Sequence, residues 1–77
     1  STYTEKQRRY LAFIPFYTRG NGRPPAQVDM QKFFGVTAPT VHQMVRALEK
    51  HGLIQRTPRE ARSLRVIAPV EDLHRWI

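Results

Sequence analysis

Residues 27–52 read QVDMQKFFGVTAPTVHQMVRALEKHG, and the architecture of the chain can be worked out from them. Apolar residues recur at helical spacing on both sides of residues 35–37, which predicts one helix over residues 27–34 and another beginning after Thr37. Gly35 suits the left-handed position that ends a helix, and the Thr37 hydroxyl can cap the next helix. Two helices joined by about three residues that include a glycine form a helix-turn-helix.

The same spacing indicates which sides of these two helices are buried. In the first helix we expect Val28, Met30 and Phe34 to face the core. The second helix tolerates Pro39 because its first turn has no intrahelical N–H partners to lose, and it should end at Gly52. Its apolar stripe comprises Val41, Met44, Val45 and Leu48.

A further helix is predicted upstream of this pair. Thr4 and Gln7 fit a capping box, so a helix should begin there. Apolar residues recur at helical spacing along it, at Tyr10, Leu11, Phe13, Ile14 and Tyr17. The helix should end near Arg19, at the Gly-Asn-Gly of residues 20–22, and Pro15 should kink or shorten it because proline lacks the N–H that bonds the preceding turn.

After the third helix, the apolar period changes from that of a helix to that of a strand. Residues 53–57 and 63–67 read as two strands with a turn over residues 58–61. Three helices followed by a two-stranded β-hairpin make a winged helix-turn-helix, a mainly α fold of the α+β kind. A short C-terminal helix is predicted after it, so we expect a winged-helix domain over residues 1–68 and a helical tail over residues 69–77.

Composition and charge exclude several classes of function for this chain. The chain has 77 residues and a formal net charge of +7, which leaves little room for a deep catalytic cleft and favours a polyanionic partner. The absence of cysteine excludes thiolate chemistry and favours the reducing cytoplasm. The histidines are too scattered for a metal site, and no catalytic constellation or phosphate-binding loop is found. We therefore expect no enzyme activity, no metal, no cofactor, no small-molecule substrate and no membrane partner.

The outward side of the third helix is the candidate contact surface. With its apolar stripe turned to the core, Gln43, Arg46 and Lys50 fall on the opposite side without an acidic neighbour. Their donors and acceptors match the base edges of the major groove and the phosphates beside it. Base reading is assigned to Thr40, Gln43 and Arg46, and phosphate binding to Thr37 and Lys50.

The predicted hairpin adds a second basic surface. Its arginines are Arg56, Arg59, Arg62 and Arg65. A hairpin tip that needed only solubility would mix both signs of charge. A charged helix face alone is most often just solvated, but a wing of arginines beside it favours nucleic acid, with the helix in the major groove and the wing over the minor groove or the backbone.

Five short phrases stand in order along the chain: TEKQ at residues 4–7, GRPP at 22–25, FGV at 34–36, ALEKHGLI at 47–54 and RSLRV at 62–66. In this order and spacing they resemble the DNA-binding domain of the LexA repressor family. The resemblance implies a bacterial winged-helix regulator that binds a palindromic operator as a dimer. It further implies base contacts from the start of the third helix, at Thr37, Ala38, Pro39, Thr40, His42 and Gln43, with Arg46 further along.

Two functions stay open at this point. The first is sequence-specific binding of double-stranded DNA by a cytoplasmic, nucleoid-associated regulator, which the acid-free helix face and the arginines favour. The second is a protein-interaction module, because winged helices also serve in docking. The family's self-cleaving peptidase is not expected in a chain that stops at Ile77. The apolar spacing of the tail suits either a cover for the core or a homodimer contact.

Overall fold

Three helices and an antiparallel hairpin make up the computed structural model, which describes residues 3–67. The helices are α1 (Glu5–Asn21), α2 (Gln27–Phe34) and α3 (Ala38–Lys50). The hairpin, or wing, consists of β1 (Ile54–Gln55) and β2 (Arg65–Val66). The predicted winged helix-turn-helix is thereby confirmed. The predicted C-terminal helix over residues 69–77 lies outside the described residues.

Helix α1 begins where its local sequence predicts, but it is longer than its local sequence predicts. Thr4 Oγ1 accepts a hydrogen bond from Gln7 N–H at 3.1 Å, and Gln7 Oε1 accepts one from Thr4 N–H at 2.9 Å, so the capping box is present. Of the two expected effects of Pro15, a kink or a shorter helix, the shortening is wrong, since α1 continues to Asn21. Burial of five consecutive residues, 10–14, stabilises the helix by more than the proline costs.

The turn between α2 and α3 has the predicted form. Gly35 takes φ 65° and ends α2, a conformation that glycine alone adopts without steric cost. Thr37 begins α3 by accepting the Thr40 N–H at 3.4 Å. At the other end of α2, Ala26 has no side chain that can cap the helix. Its backbone N–H donates instead to Asp29 Oδ2 at 2.8 Å.

The core lies between the three helices, and the hairpin closes one side of it. The predicted stripe of α3 is confirmed, because Val41, Val45 and Leu48 are fully buried and Met44 is half-buried. The buried apolar residues are Tyr10, Leu11, Ala12, Phe13, Ile14, Met30, Val41, Val45, Leu48, Leu53, Ile54 and Leu64.

One residue of α2 departs from the predicted burial pattern. Met30 is buried and Phe34 is half-buried, with its ring stacked on Tyr10 at a centroid distance of 4.1 Å. Val28 is 45% exposed, so its assignment to the core is wrong. Two residues correspond to about 200° around a helix, which turns Val28 away from the side that buries Met30.

The wing is shorter than the sequence predicts. Ile54 pairs with Val66 and Gln55 with Arg65. The pairing stops there because the Thr57 N–H donates to the Ser63 hydroxyl at 2.9 Å instead of to a strand partner. The same hydroxyl lies 3.2 Å from the Thr57 carbonyl oxygen, so one serine side chain closes the turn.

Candidate nucleic-acid interface

The predicted contact side of α3 is open to solvent along the whole helix. The core-facing stripe is buried, and the opposite side carries amide and cationic groups. The exposed members of the predicted site are Thr37, Ala38, Pro39, His42, Gln43, Arg46 and Lys50, and Thr40 is half-buried. The fold therefore gathers the predicted residues of α3 on a surface that a groove could receive.

Two hydroxyls meet at the start of α3. Thr37 Oγ1 and Thr40 Oγ1 lie 2.9 Å apart, and Thr37 Oγ1 also accepts the Thr40 N–H. In a hydroxyl pair, one O–H donates to the other oxygen and the second O–H is left for another acceptor. The cap that begins the helix thus still offers one donor for a phosphate or a base.

The end of α3 and the start of the wing enclose a basic cleft. An open space of about 620 Å³ is lined by Arg46, Ala47, Glu49, Lys50 and Arg56. Glu49 Oε2 lies 3.0 Å from Arg56 Nε, so this acid offsets part of the charge of the cleft. A pair made through Nε leaves both terminal nitrogens of Arg56 for a second anion.

The wing arginines do not share one environment. Arg59 is exposed in the turn and takes a left-handed φ of 67°, an uncommon conformation for a side-chain-bearing residue. Arg65 is exposed on β2, where its Nη2 donates to Gln55 Oε1 at 2.6 Å. Both guanidinium groups lie at the surface of the hairpin.

Arg62 turns inward, away from the surface that its assignment to DNA requires. Its Nη1 donates to Asp29 Oδ2 at 2.8 Å and to Tyr17 Oη at 3.2 Å, and it lies 3.5 Å from the Pro24 carbonyl oxygen. Its side chain is 27% exposed and that of Asp29 is 17% exposed. The assignment of Arg62 to DNA does not fit this placement, because the guanidinium is already engaged inside the fold.

Asp29 and Tyr17 are the residues that sequence reasoning missed at this contact. They are separated from Arg62 by 33 and 45 positions along the chain. No helical or strand period connects positions so far apart. The one local feature that points to this contact is Asp29 itself, because an acidic residue in the first turn of a helix is favoured by the helix dipole.

The environment of Asp29 makes stability depend on pH. The Ala26 N–H and then the Arg62 guanidinium hold the pKa of the Asp29 carboxyl below its ordinary value, against the opposing effect of burial. A carboxyl with a lowered folded pKa stabilises the fold above its unfolded pKa, near 3.9, and that stabilisation is lost as the pH falls through the folded value.

We therefore expect Asp29→Asn to lower the free energy of unfolding near pH 7, and the difference from wild type to shrink below about pH 4. Urea unfolding followed by circular dichroism at several pH values measures this difference. Glu60→Gln, which removes an exposed carboxylate of the wing turn, is the matched control and should follow the wild-type profile. A pH-independent difference between Asp29→Asn and wild type would contradict the expectation.

Residues 3–67 contain neither a cluster of metal ligands nor a membrane-spanning helix. No group of three or more potential metal-ligating side chains occurs there. No helix in the same part of the chain has both the length and the apolar character that a membrane span requires.

A helix-turn-helix with an exposed polar and basic second helix, flanked by a basic hairpin, defines a winged-helix DNA-binding domain. The family model described as the LexA DNA binding domain matches residues 1–63, and the chain belongs to that family. The resemblance read from the sequence is thereby confirmed.

Individual relatives agree with the family match. The chain is 40% identical over 70 residues to a LexA repressor of Thermosipho melanesiensis, covering 91% of this chain and 35% of that protein. A LexA repressor of Thermosipho africanus is 39% identical over 70 residues, with the same coverage. One from Magnetococcus marinus is 34% identical over 71 residues, covering 90% of this chain and 31% of that protein. The chain thus spans about a third of the length of these curated relatives.

Proposed function

We propose that this chain is the DNA-binding part of a bacterial transcriptional repressor, acting on double-stranded DNA at the nucleoid in the cytoplasm and carrying out no chemical step itself. The observation that carries the proposal is the exposed side of α3, where Gln43, Arg46 and Lys50 stand opposite the fully buried Val41 and Leu48. Packing of the apolar stripe against the core thus turns the donors on the opposite side of α3 outward, where a groove could receive them.

Each side chain of this face suits a particular partner. The Gln43 amide can donate and accept at once, as the edge of adenine requires, and the Arg46 guanidinium can donate twice to guanine. Gln43 lies in the first half of α3, the part that enters the major groove in helix-turn-helix proteins. We assign Lys50, the last residue of the helix, to a backbone phosphate.

The wing supplies the second part of the interface. Arg59 and Arg65 are exposed, and Arg56 keeps two nitrogens beyond its contact with Glu49. Contacts to phosphate fix the position of a protein on the duplex without reading sequence. We therefore assign positioning on the backbone to the wing and reading of the bases to Gln43 and Arg46 of α3.

Selection of bound duplexes from a random pool tests this proposal. We expect enrichment of a defined motif, and a palindrome would indicate that two copies of the chain bind together. A pool that shows no enrichment, together with no measurable affinity for any duplex at low salt, would overturn the proposal and favour a protein-docking module.

Gln43→Ala should lower discrimination between the preferred site and its variants. The loss at one base pair should be about 1–3 kcal/mol, because a bidentate amide contact is removed and no charge is changed. Lys50→Ala is the comparison, since loss of a phosphate contact should weaken binding to every sequence alike. Competition binding with single-base variants of the selected site measures both effects. A uniform loss of affinity in Gln43→Ala would show that Gln43 does not read a base.

A further inference from the structure

One side chain of the wing reaches across the molecule to the helical body. Arg62 stands at the end of the wing turn, and its Nη1 contacts Asp29 in the first turn of α2, Tyr17 near the end of α1 and the Pro24 carbonyl between them. We call Arg62, Asp29 and Tyr17 the wing tie. A single guanidinium thus joins the hairpin to three separate parts of the body.

The anchor of the wing tie is fixed independently of the wing. Asp29 Oδ2 accepts the Ala26 N–H at 2.8 Å, and this bond holds the carboxylate at the start of α2. The positive end of the helix dipole also favours an anion there. Because α2 continues into α3 through the tight turn at Gly35, the carboxylate keeps a fixed position relative to α3.

The other contacts of the wing hold its base or stay within it. Leu64 is buried, and Arg56 pairs with Glu49 where the chain enters the hairpin. The hydrogen bonds of the Ser63 hydroxyl, to Thr57 and to the Glu60 carbonyl, close the turn on itself. The direction of the exposed turn relative to α3 therefore depends on Arg62.

We infer that the wing tie positions the hairpin so that Arg59 and Arg65 meet the same duplex that α3 reads, while Arg62 itself touches no DNA. The inference rests on the proposed function and adds positioning residues that lie outside the interface. A preorganised contact surface binds more tightly because less conformational freedom is lost on association.

Asp29→Asn separates a positioning role from a general electrostatic effect, because the two predict opposite changes in the affinity for DNA. The substitution removes one negative charge from a chain of net charge +7, which by charge alone would strengthen binding to a polyanion. Loss of the wing tie should instead weaken binding, roughly two- to thirtyfold, with the salt slope unchanged. Glu60→Gln makes the same change of charge on the exposed turn and should bind at least as tightly as wild type.

Arg62→Met completes the test of mechanism. If the two residues act through one contact, the double variant Asp29→Asn/Arg62→Met should bind about as well as Arg62→Met alone. A direct phosphate contact by Arg62 would give a different pattern. The salt slope would fall by about 0.9 in Arg62→Met, and Asp29→Asn would bind as tightly as wild type or more tightly. That pattern would overturn the inference.

A measurement without DNA tests the wing tie separately from the proposed function. Backbone ¹⁵N order parameters for residue 57 and residues 59–63 should fall in Asp29→Asn and in Arg62→Met and stay at the wild-type level in Glu60→Gln, with thermal melts showing that each variant is folded. Wild-type order in Asp29→Asn would refute the wing tie whatever the DNA measurements give. If wild type binds no duplex, the proposed function fails, and the order parameters still decide whether the tie directs the wing.

Discussion

A fourfold rise in salt, from 50 to 200 mM, should weaken binding of this chain to its preferred duplex by a factor on the order of 150. The estimate counts the four exposed cations that are assigned to the phosphate backbone, each neutralising one phosphate and releasing about 0.9 counterion. They are Lys50, Arg56, Arg59 and Arg65. The logarithm of the affinity should then fall against the logarithm of the salt concentration with a slope near −3.6.

Fluorescence anisotropy with the selected duplex at five or six salt concentrations measures this slope. Lys50→Ala should make it shallower by about 0.9, and Gln43→Ala, which changes no charge, should leave it unaltered. A slope close to zero for wild type would mean that these cations do not face the phosphates. Arg62 is left out of the count because its guanidinium is paired inside the fold. A steeper slope, as expected if Arg62 also neutralised a phosphate, would contradict this placement.

Leu48→Ala is the substitution expected to damage the fold most. Leu48 is fully buried in the last turns of α3. Truncating a buried leucine to alanine costs about 2–5 kcal/mol, because apolar contacts are lost and a cavity remains. A domain of this length is stable by about 4–12 kcal/mol in total, so the variant loses a large fraction of its stability. We expect Tm to fall by at least about 8 °C.

Gln43→Ala is the control for this loss of stability, because Gln43 lies on the same helix and its side chain is exposed. Its free energy of unfolding should stay within about 0.5 kcal/mol of wild type. Urea unfolding of both variants, compared with wild type at one temperature, gives the two values. If Leu48→Ala were as stable as Gln43→Ala, the packing of α3 against the core would not be what orients its outward face.

The parts of the fold that the sequence predicts well are those set by neighbouring residues. The capping box at Thr4, the glycine turn at Gly35 and the cap at Thr37 depend on contacts within about four positions, and all three are present. The exposed side of α3 follows from helical periodicity alone, which is why its orientation agrees with expectation. The local sequence does not determine the end of α1, because Gly20 and Gly22 both resemble a stop and only Gly22 takes a positive φ.

Features set by distant parts of the chain could not be predicted. Arg62 carries the same charge as its neighbours in the wing, and only the folded chain brings it to Asp29. The length of the strands depends on a side-chain hydroxyl, that of Ser63, which no strand propensity represents. Val28 looks like a core residue by type, but its exposure is decided by which side of α2 packs inward.

The exposed wing turn also has a consequence for how such a protein can change over generations. Residues 58–61 are exposed throughout, and none of the buried core residues comes from them. Substitutions, insertions or deletions in such a loop remove little buried apolar area, so the rest of the molecule tolerates them. A lineage could therefore lengthen or recompose this loop and acquire new contacts along the duplex, while the bases read by α3 stay the same.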